Sequence, residues 1–125
     1  MSKSNGKFRV LRNETTGKVV LARARWCQSF WLRLRGLMFR FNLPDDEGLI
    51  FVYGRESRMD TSIHMFFMAF DIAAIWLDKN GQVVDKQVAK VWRPYYASRR
   101  PAQYVIEGRP ALLDRVNVGD RLSFS

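Results

Sequence analysis

This sequence predicts a β-rich α+β fold: one domain over residues 1–125, with a flexible tail at 1–6. Three observations predict it. Two stretches read with the two-residue period of a strand: Phe8, Val10 and Arg12 alternate with Arg9 and Leu11, and Val19, Leu21 and Arg23 alternate with Val20, Ala22 and Ala24. Turn-forming pairs, Thr16-Gly17, Asn80-Gly81 and Gly119-Asp120, punctuate the apolar runs. Helical period occurs in two short stretches, at 29–38 and 110–116. The expected architecture is about seven or eight short, mostly antiparallel strands in a sheet or partly open barrel, with two short helices inserted.

In order along the chain, residues 8–24 read as a hairpin around Thr16-Gly17, with arginines on its outer face to blunt edge pairing. Ser29 suits an N-cap, and Phe30, Leu34, Leu37 and Met38 fall on one face of the first helix. Pro44, Asp45 and Asp46 make a turn before the buried strand GLIFVY at 48–53. A strand is expected at 63–68, apolar on both faces and therefore buried on both, and another at 72–77. Asn80-Gly81 joins the latter to a strand beginning at Gln82, in a turn that demands positive φ. Residues 91–103 are irregular, 104–108 form a strand, Pro110 opens the second helix, and 121–125 return as the last strand. Glu47-Gly48 and Glu107-Gly108 read as turn chemistry.

Composition narrows the class of function. The single cysteine, Cys27, excludes an intrachain disulfide and a zinc site built on several cysteines. The first residues lack the apolar core of a secretory signal, and no apolar run approaches the ~20 residues of a membrane helix. The default location is therefore cytoplasmic. Residues 1–40 carry ten Lys or Arg against one acid, Glu14, which accounts for the whole net charge of +9. A solvated basic surface explains this, and weak polyanion binding follows from it.

Several segments in fixed order carry a resemblance. They are RGLMFR (35–40), EGLIFVY (47–53), IHMFFM (63–68) and DIAAIWLDKNGQVV (71–84), then Trp92-Arg93, VIEG (105–108) and Gly119-Asp120. Together they resemble the bacterial and archaeal domain-of-unknown-function family numbered 192, over nearly the whole chain from about Thr15 onward. The resemblance implies a compact β-rich fold with small helices and no established activity. Many relatives are preceded by an export signal or lipid anchor. This chain departs from the usual motif at Met65, where a small or polar residue is common, and at Phe70, where proline is common. The resemblance also makes Arg35 and Arg93 the natural partners of Asp71.

His64, the only histidine, dominates the candidate chemistry. With Asp71 it has the types of a base and its orienter, yet no recognisable nucleophile motif accompanies them. His64, Met59, Met65, Met68 and Cys27 have soft-ligand character. Along a strand, however, His64 and Met68 stand about 13 Å apart, too far to share an ion. No metal or cofactor is expected. The favoured reading is a small non-enzymatic binding or accessory domain for an unidentified small ligand or protein partner. Its shallow pocket lies near His64, Asp71 and Trp92, with Met68, Arg93 and Arg35 as further binding residues. The alternatives are a hydrolase-like enzyme using His64 and Asp71, and a weak binder of nucleic acid or anionic membrane through residues 1–40.

Overall fold

The computed structural model describes residues 7–29, 33, 36–37 and 42–125. In chain order its strands are β1 (Phe8–Asn13), β2 (Lys18–Cys27), β3 (Glu47–Ser57), β4 (Ile63–His64), β5 (Ile72–Leu77), β6 (Val83–Ala89), β7 (Tyr95–Tyr96), β8 (Ala102–Gly108) and β9 (Leu122–Phe124). A 3-10 helix, Pro110–Arg115, lies between the last two.

Seven strands form one sheet in the order β6-β5-β8-β3-β2-β1-β9, and β4 pairs with β7 as a separate ribbon. Only β2 and β3 run parallel. A parallel pair needs a crossover, which residues 28–46 supply. The sheet curls into a half-barrel. A bridge between Gln82 and Arg121, and a 2.8 Å bond from Val83 N–H to the Asp120 carbonyl, draw its two edges together.

The expected β1–β2 hairpin is present. Gly17 takes φ 78, and its N–H reaches the Asn13 carbonyl at 2.7 Å. Fully buried Asn13 donates to Asp120 at 2.7 Å and accepts from the Thr15 and Thr16 N–H groups, so its amide pins the first turn to the last. At the β5–β6 turn, Gly81 takes φ 84 while Asp78 accepts from the N–H groups of Asn80 and Gln82.

Strand alternation divides the core into two layers. Cys27, Leu49, Phe51, Ala74, Trp76 and Val105 share one face, under the β4–β7 ribbon. Leu21, Ile50, Ala73, Ile75, Ile106 and Leu112 share the other, under the 3-10 helix. All six residues of β5 are buried because β5 lies between the layers. Trp76 closes the first layer, its indole N–H donating to the Thr61 carbonyl at 2.8 Å.

Two expectations need correction. The strand at 63–68 shrinks to the two residues of β4: Phe67 takes φ 62, Met68 N–H turns back to the Met65 carbonyl, and Phe66 and Phe67 are exposed. Left-handed backbone cannot continue a strand. The second correction concerns helix. The stretch at 110–116 is helical, but only as a six-residue 3-10 helix that ends where Val116 becomes extended. The helix expected at 29–38 lies largely outside the described residues. Within them, Arg33 N–H meets the Ser29 carbonyl at 3.1 Å, one α-turn apart, and Gly36 takes φ 48. The fold is therefore β-rich with minimal helix. No helix among the described residues is long and apolar enough to cross a membrane. The tail expected at 1–6 also lies outside the described residues.

Candidate functional site

On β8, Val105 and Glu107 point to the same side of the sheet. The register sets Glu107 between Leu49 of β3 and Ala74 of β5, both members of the first apolar layer. Its carboxyl is thus built into a hydrophobic surface. Glu107 is 5% exposed, and among the described residues no donor or cation pairs with its carboxylate. Burial alone pushes its pKa up to about 8, so the carboxyl is mostly protonated at neutral pH. Gly36 lies beside it. A Cβ on Gly36 would stand 3.6 Å from Glu107 Oε1 and 3.2 Å from the Phe51 ring.

Glu107 forms one wall of a small inner chamber, about 40 Å³, whose other walls include Gly36, Leu37, Phe51, Met68 and Ile63. An outer cavity of about 570 Å³ is bounded by Gly54, Arg55 and Asp60. Arg33, Tyr53, Ser62 and His64 line both spaces. The topology explains this meeting. β3 brings Tyr53, the β4–β7 ribbon brings half-buried His64 opposite Tyr95, and the crossover brings Arg33. Arg33 is fixed by bonds from Nη1 to the Gln28 and Val52 carbonyls, at 2.6 and 3.0 Å, and its guanidinium lies 4.7 Å from the centre of the Tyr53 ring. Burial pushes the Tyr53 phenol up to about 12, with Arg33 opposing the rise. Arg55 is engaged by Asp60 at 3.2 Å.

Cys27 lies in the same apolar layer. Burial pushes its thiol up to about 11, with Arg25 opposing the rise and Glu107 adding to it. A thiol of that pKa is protonated at neutral pH and a poor nucleophile.

The sequence-predicted residues separate in space. His64 and Met68 line the inner chamber. Asp71 and Trp92 line neither space: Asp71 accepts from Val91 N–H at 2.9 Å and faces Lys90 at 3.4 Å, while Trp92 is exposed. Arg93 lies over the Tyr96 ring at 4.8 Å rather than against Asp71. Arg35 falls outside the described residues. The cation facing Asp71 is therefore Lys90, because β5 and β6 are antiparallel and bring the ends of the two strands together. Both side chains are substantially exposed, so Asp71→Asn should cost less than about 1 kcal/mol. In a double-mutant cycle by thermal melting, Asp71→Asn should couple to Lys90→Met and be additive with Arg93→Met.

Sequence reasoning missed Glu107, whose Glu-Gly pair it read as a turn. The available signal was an acid sharing the parity of Val105 inside an apolar run.

Comparison with known proteins agrees with this geometry in fold and gives no activity. The family model DUF192, described as an uncharacterized ACR, matches residues 11–124. A UPF0127 protein of Thermococcus kodakarensis is 43% identical over 115 residues, covering 90% of this chain and 71% of the relative. A UPF0127 protein of Pyrococcus furiosus is 40% identical over 115 residues, covering 90% of this chain and 96% of the relative. Among solved structures, a Sinorhizobium meliloti protein has a TM-score of 0.81 at 22% identity, covering 94% of this chain and 92% of that one. A protein of unknown function from Novosphingobium aromaticivorans has a TM-score of 0.78 at 21% identity, covering 92% and 83%. The chain belongs to the DUF192 family of uncharacterised proteins.

Proposed function

We propose that this chain is a small-ligand-binding domain without catalytic activity of its own. The observation that carries the reading is the pair of cavities sharing Arg33, Tyr53, Ser62 and His64, the larger about 570 Å³ and the smaller ending on a buried carboxyl. An outer space of that volume matches a small organic ligand. Its walls are held in place before any ligand arrives, since Arg33 is braced by two carbonyls and His64 by the β4–β7 ladder.

The hydrolase alternative is less well supported. His64 and Asp71 are directed to different neighbours, so the imidazole lacks the proposed orienter. Ser62 Oγ donates to the Met59 carbonyl at 2.7 Å and is not aligned to a base. The basic-surface alternative also has structural competition: Arg9 lies over Trp26 and Arg23 over Phe8, packing uses for two of the arginines in residues 1–40.

A plug tests the reading. A Cβ at Gly54 meets nothing within 4 Å, so Gly54→Trp should fill the outer cavity without disturbing the sheet. In an NMR screen of small fragments, binders should move the amide signals of Tyr53, Ser62 and His64, and Gly54→Trp should abolish those shifts. His64→Ala should lower stability by about 1 to 3 kcal/mol through lost volume and polar contact. Shifts scattered evenly over the protein would overturn the pocket. Turnover of ester or phosphoester substrates that His64→Ala removes, at unchanged melting temperature, would favour the enzyme.

A further inference from the structure

We infer that the inner chamber receives the carboxylate end of a small organic acid, with Glu107 as a hydrogen-bond donor at its floor. The inference rests on the pocket reading above and specifies its ligand. The carboxyl of Glu107 is buried and, among the described residues, unpartnered, and it opens onto a chamber rather than onto packed side chains. Buried polar groups are nearly always satisfied, so one with no partner among the described residues, beside a cavity, can take its partner from outside.

The walls decide the charge of that partner. Among the described residues, Arg33 contributes a guanidinium whose Nε and Nη2 meet no carbonyl, and Tyr53 a phenol that makes no hydrogen bond. The one acid in the outer cavity, Asp60, is already held by Arg55. A protonated Glu107 adds a third donor. Donors thus outnumber available acceptors, which suits an anion and repels an amine. The chamber, about 40 Å³, limits the entering group to a few heavy atoms. A carboxylate meets both conditions, and its two oxygens can accept from Glu107 and Arg33 together.

The groups facing Glu107 determine how the interaction responds to pH. β2 offers Cys27, β3 offers Tyr53, β4 offers His64, the crossover offers Arg33, and β5 presents Ala74 and Trp76. Cys27 and Tyr53 are protonated while Glu107 titrates, since burial holds them up at about 11 and about 12. Above about pH 8 Glu107 ionises and repels a bound carboxylate.

The test is an NMR titration of the full chain with formate, acetate and propionate at fixed ionic strength, with methylammonium and inorganic phosphate as controls. Carboxylates should move the signals of Gly36, Tyr53, His64 and Glu107. Their affinity should fall about tenfold per pH unit above pH 8. Glu107→Gln keeps a donor that cannot ionise, so it should hold affinity within about threefold and flatten that slope. Glu107→Leu suits the apolar walls and should fold, but should weaken carboxylates more than about tenfold. Stronger binding of methylammonium or phosphate would overturn the inference, as would carboxylate binding indifferent to Glu107→Leu or a slope that persists in Glu107→Gln. If carboxylates fail while other fragments still move Tyr53 and Ser62 in a manner sensitive to Gly54→Trp, the inference falls and the pocket stands. If no compound moves those signals, both fall.

Discussion

Replacing Glu107 by glutamine should raise the melting temperature by about 10 °C at neutral pH and leave it unchanged at pH 4. The sign follows from the raised pKa, about 8 in the folded chain against the ordinary 4.5. Between those values the unfolded chain releases the proton and hydrates the carboxylate, while the folded chain retains it. Glu107 therefore subtracts nothing from stability below pH 4.5, and its penalty grows by roughly 1.4 kcal/mol per pH unit up to about pH 8. At pH 7 that is on the order of 3 kcal/mol. Glutamine, neutral throughout, escapes the penalty at almost the same volume. Melting curves of both proteins from pH 4 to 9 check this. Parallel curves would mean that the carboxyl finds a charge partner or water in solution. A carboxyl that costs this much stability and has no partner among the described residues fits the ligand-site proposal, since burial tolerated at functional sites is offset elsewhere in the fold.

Gly48→Ala should do the opposite, lowering stability by about 3 kcal/mol or more. Gly48 pairs with Gly108 where β3 meets β8, and a Cβ there would stand 2.4 Å from the Glu107 carbonyl oxygen and 2.7 Å from Leu21 Cδ1. The first contact is with backbone, so relief would require separating β3 from β8 beside Glu107. Gly54→Ala, on the same strand with nothing near its Cβ, is the control and should be nearly neutral. Urea unfolding of the two variants separates them. Equal midpoints would refute the close approach.

Legibility in the sequence tracked how local each feature was. The strand at 72–77 was readable because β5 is buried on both faces, so every residue is apolar. The turns at Gly17 and Gly81 were readable because positive φ favours glycine over residues with a Cβ. The strand at 63–68 was misread: its composition suits a strand, but Phe67 leaves the β region, and nothing in the residue types marks that. Of the residues that line the inner chamber, His64 was singled out in the sequence by its rarity and Met68 by its neighbourhood. Glu107 was missed because a carboxylate in a Glu-Gly pair looks like surface chemistry until register fixes the face it occupies.

The sequence by itself determined a β-rich domain, its main turns and a basic first third, because alternation, glycine placement and charge are properties of consecutive residues. Tertiary structure alone decided that Arg33, Tyr53, His64 and Glu107 surround common space, that Asp71 faces Lys90, and that the carboxyl of Glu107 is buried without a partner among the described residues. The Asp71–Lys90 pairing depends on β5 lying against β6; the other facts depend on the parallel β2–β3 crossover and on the register of β8 between β3 and β5. Strands distant in sequence set them, and a shift of one residue in that register would have turned Glu107 to the other face.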